Sequence, residues 1–272
     1  MINEIAPCLQ RVLLTYRGGI IAVSGGVDSM TLASFAQKVL GINGISMVHA
    51  ISPAVPKAAT ALVRHYSIRD NWDLTEVDAG EFQDPAYRAN PLNRCFYCKT
   101  NLYETLRKMT NGVVISGTNC DDLNDYRPGL IAAKNSQVRH PYVEAGMKKD
   151  AVRELARKLH LNDLAELPAS PCLSSRIETG IPIEEKNLVL IDNIETWLRS
   201  KIRPSIVRCR VRKEGLVIEL DSITFTELTK YDKLQIIQGA TSRLPVDSNM
   251  KVQISLYRQG SAFVPARLHP AA

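Results

Sequence analysis

The chain has 272 residues, which suits one large domain or two modest ones with ample core. Its hydrophobic content of 45% and charged content of 23% are those of an ordinary globular protein. The net charge of +6 suits an acidic partner (a nucleotide, a nucleic acid or a phosphorylated metabolite) without choosing among them.

No apolar run approaches the roughly 20 residues that a membrane helix needs. Met1 to Tyr16 lacks a signal-peptide pattern. Six cysteines in so long a chain do not resemble a secreted disulfide framework, so a reducing cytoplasm is the expected compartment.

In chain order, Ile5, Leu9, Val12, Leu13 and Tyr16 mark one face of a first helix. Ile20 to Val23 reads as a buried strand, and Met30 to Leu40 as an amphipathic helix. Gly44 to Ile51, Trp72 to Val77, Val113 to Ser116 and Val138 to Tyr142 read as further strands. Helices are expected over Pro56–Arg69, Arg94–Met109 and Lys148–Leu159. Strands alternating with helices predict an α/β fold with a doubly wound parallel sheet. Ligands of such sheets sit beyond the carboxyl ends of the strands, where Ser24 and Gly117-Thr118-Asn119 fall.

Leu167-Pro168-Ala169-Ser170-Pro171 reads as a boundary, dividing the chain into a nucleotide-binding domain over 1–167 and a smaller α+β domain over 168–272. In the latter, helices are expected over Glu184–Arg199 and Phe225–Gln238. Strands are expected over Ser205–Lys213, Leu216–Leu220 and Lys251–Tyr257, with Val252, Ile254 and Leu256 inward. Ser205–Lys213 alternates: Val207, Cys209 and Val211 on one side, Arg208, Arg210 and Arg212 on an exposed other.

Ser24-Gly25-Gly26-Val27-Asp28-Ser29 joins the first strand to its helix. Backbone N–H groups at such a helix start attract anions, glycines let phosphate oxygens come close, and Asp28 offers a carboxylate for a metal ion beside them. A Lys-Ser/Thr ending is missing, so this is not a Walker loop. SGGxDS is the signature of the PP-loop ATP pyrophosphatase superfamily, which the chain resembles here. The resemblance implies cleavage of ATP between its α- and β-phosphates.

Cys95-Phe96-Tyr97-Cys98 puts two thiols on one helix face, a pattern that serves a metal, a cluster, a redox pair or simply a core. Cys172, in Pro171-Cys172-Leu173-Ser174-Ser175-Arg176, lies in a loop beside an arginine that favours the thiolate. Three thiolates can hold a [4Fe–4S] cluster with one iron open, although zinc also fits the donor type. The arginine row, with Arg176 and Ser175, suits phosphate or carboxylate recognition. Cys8, Cys120 and Cys209 have structural explanations.

Asn90-Pro-Leu-Asn-Arg-Cys-Phe-Tyr-Cys-Lys99, Ser116-Gly-Thr-Asn-Cys-Asp-Asp-Leu-Asn-Asp-Tyr-Arg-Pro-Gly129 and Pro171-Cys-Leu-Ser-Ser-Arg176 together resemble the LarE family of PP-loop sulfur transferases. The likeness runs from SGGVDS to about Arg212 and departs at Cys120, where relatives tend to carry a small residue. It implies adenylylation of a carboxylate of pyridinium-3,5-biscarboxylic acid mononucleotide by ATP with Mg²⁺, then sulfur transfer to give a thiocarboxylate for the nickel-pincer nucleotide cofactor. Ser24, Gly25, Gly26, Val27, Asp28, Ser29 and Gly117 would bind ATP, with Asp28 and Cys172 catalytic. Ser175, Arg176, Arg208, Arg210 and Arg212 would bind the nucleotide substrate. Some members sacrifice the sulfur of the cysteine matching Cys172. Others carry three cysteines and a [4Fe–4S] cluster fed by a sulfide donor, and Cys95, Cys98 and Cys172 match that pattern. The family also implies a homo-oligomer, with no membrane or nucleic-acid partner. Two rivals are a [4Fe–4S]-dependent tRNA thiolation enzyme and a non-catalytic nucleotide-binding module.

Overall fold

Alternate residues of the N-terminal strands turn to opposite faces, and both faces are apolar. Ile21, Met47 and Ile115 join one core cluster while Ile20, Val48 and Val114 join another. A strand buried on both sides must sit between two layers of helices, as parallel sheets do. The structure, a computed structural model, describes residues 2–16, 18–124, 127–168, 171–246 and 248–262.

The order is α1 (Ile2–Leu14), β1 (Gly19–Ala22), α2 (Val27–Leu40), β2 (Ser46–Ala50), α3 (Lys57–Arg69), β3 (Leu74–Val77), α4 (Pro85–Arg88), α5 (Arg94–Met109) and β4 (Val113–Ile115). Then come α6 (Pro128–Asn135), α7 (Pro141–Glu144), α8 (Lys149–Lys158), α9 (Asn162–Ala165) and α10 (Glu185–Ile202). Last are β5 (Val207–Arg212), β6 (Gly215–Leu220), α11 (Ser222–Glu227), α12 (Lys230–Thr241) and β7 (Val252–Leu256). No helix among the described residues is long and apolar enough to cross a membrane.

The chain forms two units. The first takes Met1–Asp84 and Asn93–Ser170, the second Pro85–Leu92 and Pro171–Ala272. In the first, a parallel sheet runs β3-β2-β1-β4. Residues of α1, α2, α8 and α9 pack on one face, those of α5 and α6 on the other. The fold is therefore the α/β architecture expected, with one difference. Val138–Tyr142 adds no strand: only Arg139 bridges to Ile115, and Pro141 then starts α7. Proline has no N–H for a ladder, and its fixed φ suits a helix start.

In the second unit β5 pairs antiparallel with β6, and β7 pairs parallel to β6. The single helix expected over Phe225–Gln238 is two. Asp221 caps α11, and Thr229 opens α12 with a reciprocal capping box to Asp232, which sets a new helix start at that point. Leu256, expected inward, is 46% exposed. Pro85–Leu92 joins this unit through Asn90, which is wholly buried in a left-handed conformation at φ 53°. Its amide donates to the carbonyls of Glu178 at 2.9 Å and Ile181 at 2.8 Å. Asparagine tolerates that backbone region better than most residues.

Candidate active site

The turn after β1 is built as a cradle. Gly25 has φ 81°, and a Cβ there would stand 2.9 Å from Ala59. Gly26 is the N-cap of α2 and offers no side-chain cap, so the first amides of α2 are left to a ligand or water. The two serines brace the loop: Ser29 Oγ accepts from the Ser24 amide at 3.0 Å, lies 3.1 Å from Ser24 Oγ, and donates to the Gly26 carbonyl at 3.2 Å.

Gly117, just past β4, lies against the same turn. A Cβ on it would be 2.8 Å from the Ser29 nitrogen, closer than real Cβ atoms come. The glycine therefore lets the β4 loop reach the start of α2. Beneath the loop, His49 Nδ1 is 2.8 Å from the Val23 carbonyl and Nε2 is 2.9 Å from Thr60 Oγ1. Burial holds the His49 imidazole below its usual value, although the Val23 carbonyl acts the other way. His140, 2.8 Å from Ser116 Oγ, is lowered by burial in the same way.

Asp28 lies in the first turn of α2. Its Oδ1 accepts from Asn119 Nδ2 at 3.2 Å, its Oδ2 from Lys149 Nζ at 2.5 Å, and its main-chain carbonyl from the Tyr142 hydroxyl at 3.1 Å. The buried Tyr142 phenol is pushed well up by desolvation and by the Asp28 charge. A carboxylate so placed is a hard oxygen donor of the kind Mg²⁺ accepts alongside phosphate oxygens. Asn119 was placed at a ligand-binding strand end by the sequence but given no role, and Lys149 was not singled out. Lysines at positions 148 and 149 oppose the positive end of the α8 dipole, and that local conflict was the available sign of an acidic neighbour.

Cys95 and Cys98 stand one turn apart at the start of α5, half-buried. The beginning of α6 lies against this turn of α5: a Cβ on Gly129 would meet Lys99 Cγ at 3.1 Å and the Cys95 carbonyl at 3.8 Å. Arg127 ties that segment to Asp122 at 2.7 Å. Asp125 and Tyr126 of the same signature lie outside the described residues.

In the second unit, Cys172 is exposed at the head of a short turn, Leu173–Arg176. The Arg176 guanidinium reaches back to the carbonyls of Pro171 and Cys172 and forks onto Glu195 at 2.9 and 3.1 Å. Ser175 Oγ donates to the Cys172 carbonyl at 2.7 Å. Arg176 is wholly buried, and its nitrogens are engaged by protein groups.

The expectation of an exposed arginine row is corrected. Arg208 and Arg210 are 9% and 4% exposed, because both faces of β5 are covered. Arg210 Nε and Arg212 Nη2 donate to Glu219 at 2.7 and 2.8 Å, and Arg210 also reaches the Ser175 carbonyl at 3.1 Å. Arg199 shares Glu195 with Arg176 at 2.6 Å. Each of these carboxylates thus serves two guanidinium groups. Burial and the nearby Arg176 charge bring Arg208 down to about 10. A set so rich in positive charge suits an anionic ligand.

Among the described residues, no three Cys, His, Asp or Glu side chains form a group that could hold a metal ion. The donor chemistry of Cys95, Cys98 and Cys172 still fits a soft iron–sulfur centre. None of the three is in a disulfide or fully buried, whereas burial drives the Cys209 thiol well up and makes it a core residue.

No family model matches the chain. It is 38% identical over 201 residues to an uncharacterized protein of Synechocystis sp., spanning 72% of each chain. An uncharacterized protein of Methanocaldococcus jannaschii is 28% identical over 208 residues, 74% of this chain and 77% of that one. The pyridinium-3,5-bisthiocarboxylic acid mononucleotide synthase of Lactiplantibacillus plantarum is 31% identical over 206 residues, 74% of this chain and 73% of the synthase. On that likeness the chain belongs to the LarE family, to which the synthase belongs.

Proposed function

We propose that this protein is an ATP-dependent sulfur transferase that converts a carboxylate of pyridinium-3,5-biscarboxylic acid mononucleotide to a thiocarboxylate. The observation that carries the reading is the loop Ser24–Ser29, braced by its two serines and closely approached by Gly117, with uncapped α2 amides at its mouth. The likeness to the bisthiocarboxylic acid mononucleotide synthase favours that acceptor.

A carboxylate is a poor electrophile. Attack of its oxygen on the α-phosphorus of ATP gives an acyl adenylate and releases pyrophosphate. The amides at the head of α2 and the hydroxyls of Ser24 and Ser29 stabilise the charge on that leaving group, and Asp28 would hold its Mg²⁺. A sulfide nucleophile then attacks the acyl carbon, and AMP leaves with the electron pair of the broken C–O bond. Cys95, Cys98 and Cys172 would hold a [4Fe–4S] cluster, which would supply the sulfide. Ser175 and the partly exposed Arg212 would meet the phosphate and carboxylates of the substrate, the buried Arg208 and Arg210 would add positive charge behind them, and Arg176 shapes the turn that presents Cys172. The protein would work as a homo-oligomer with no nucleic acid bound.

The test is anaerobic incubation with ATP, Mg²⁺, sulfide and the biscarboxylate mononucleotide, followed by mass spectrometry. Replacement of oxygen by sulfur in the acceptor, with one AMP formed per thiocarboxylate, is the expected result. ATP left intact in the presence of that acceptor would overturn the reading.

A further inference from the structure

Pro85–Leu92 comes early in the chain yet packs with the second unit. It grips the turn that carries Cys172 and the residues just after it. The Tyr87 hydroxyl lies 2.6 Å from Ser174 Oγ, and both side chains are buried. The Asn90 amide donates to the carbonyls of Glu178 and Ile181, and its own carbonyl accepts the Gly180 amide at 3.0 Å. The Ile183 amide donates to the Arg88 carbonyl at 2.8 Å. Ser174 also closes the turn, since its carbonyl accepts the Ile177 amide at 3.1 Å. From Asn90 the chain runs directly into the CxxC helix. Asn90 is held at φ 53°, Pro91 has a locked φ, and Arg94 begins α5. Only Leu92 and Asn93 keep ordinary backbone freedom, and the Asn93 carbonyl already accepts the Phe96 amide at 2.8 Å.

We propose that Tyr87 and Asn90 are positioning residues for the three-thiol centre, anchoring both the turn that presents Cys172 and the short link that carries Cys95 and Cys98. The inference rests on the cluster reading above and deepens it. A tyrosine hydroxyl paired with a serine hydroxyl in the interior adds little net stability, because apolar groups of the same shape would do nearly as well. What the pair supplies is a fixed geometry, since each buried hydroxyl is satisfied only where the other stands. Asn90 acts in the same way through its two carbonyl partners. A centre whose ligands come from two segments loses iron when either segment swings away, so a stiff anchor common to both slows that loss.

The experiment times iron release to excess chelator from anaerobic, cluster-loaded protein, and measures urea stability of the same samples. Wild type is compared with Tyr87→Phe, Asn90→Gly and the double variant Tyr87→Phe/Ser174→Ala. Glycine keeps the left-handed backbone at position 90 and removes only the side-chain bonds. Tyr66→Phe is the control, because the Tyr66 hydroxyl donates to Asp163 within the first unit. Tyr87→Phe and Asn90→Gly should release iron about fivefold faster, the rate equivalent of one hydrogen bond. The double variant should unfold like wild type and still release iron as fast as Tyr87→Phe. Tyr66→Phe should lose stability and keep the wild-type release rate. Wild-type release in the double variant, or release that simply follows urea stability across all the variants, overturns the inference and makes the bonds structural. If Asn90→Gly does not fold, Tyr87→Phe and the double variant decide the matter. A wild-type protein that takes up no iron and sulfide overturns the cluster reading itself, before any variant is compared.

Discussion

Arg176 and Glu195 form a two-pronged ion pair in which neither side chain has more than 1% of its surface exposed. Glu195 also accepts the Cys209 amide at 3.0 Å, so the pair ties the Cys172 turn to both α10 and β5. Burial alone would raise the Glu195 carboxyl; Arg176 more than offsets that and holds it below the usual range. Removing one partner strands a buried charge, which costs about 3–5 kcal/mol. Arg176→Met and Glu195→Gln should each lower stability by that order in urea unfolding. Arg176→Lys should fall short of wild type, because an ammonium cannot fork. A loss below about 1 kcal/mol in both, the size of an exposed pair, would show that the pair is not buried in solution.

The approach of Gly117 to Ser29 makes a second expectation. Gly117→Ala places a methyl group against the backbone of α2, and such overpacking costs about 1–3 kcal/mol. By contrast, a Cβ on Gly26 would meet only Ser24 Oγ, at an ordinary 3.6 Å, and φ is −86° there. Gly26→Ala should therefore melt like wild type, so any loss of ATP affinity it shows reports crowding of the phosphate. If Gly117→Ala matches wild type in both melting and ATP binding, the close approach has no role.

For the cysteines, iron content is the direct readout. Anaerobically prepared protein should carry about four iron and four sulfide per chain, the stoichiometry of a [4Fe–4S] cluster. Cys95→Ala, Cys98→Ala and Cys172→Ala should each lose most of it, while Cys8→Ala and Cys120→Ala keep it. Full iron in Cys172→Ala would remove that residue from the ligand set. Cys209→Ala is a stability variant, because its side chain is wholly buried.

His49 and His140 both have their ionisation held below the ordinary 6.5 by burial. The unfolded chain then binds protons that the folded chain refuses. Stability should be whole above about pH 7 and decline as pH falls through 6.5, by at most about 1.4 kcal/mol per pH unit for each histidine. The charges facing His49 are Glu76 and Arg64, which act in opposite directions. His140→Gln should flatten the decline between pH 7 and 5 relative to wild type. An identical slope would mean that His140 stays accessible to protons in the folded state.

The α/β alternation, the glycine turn and the CxxC helix were legible because each is a local pattern. Apolar period, turn chemistry and i, i+3 spacing depend only on neighbours in sequence. The break between α11 and α12 was also written locally, in the capping box of Thr229 and Asp232, but an apolar run continued past it. The tertiary structure alone decided the rest. Alternation on β5 could not reveal that its arginine face is covered, because Glu219 on the neighbouring strand and the Ser175 turn supply the partners. Nor could spacing place Lys149 on Asp28, residues separated by 121 positions, or carry Asn90 to the carbonyls of Glu178 and Ile181. Sequence by itself thus determined which backbone segments form and which chemical groups are present. The pairing of buried charges followed from long-range packing, since a guanidinium or carboxylate removed from water takes whichever partner the fold brings to it.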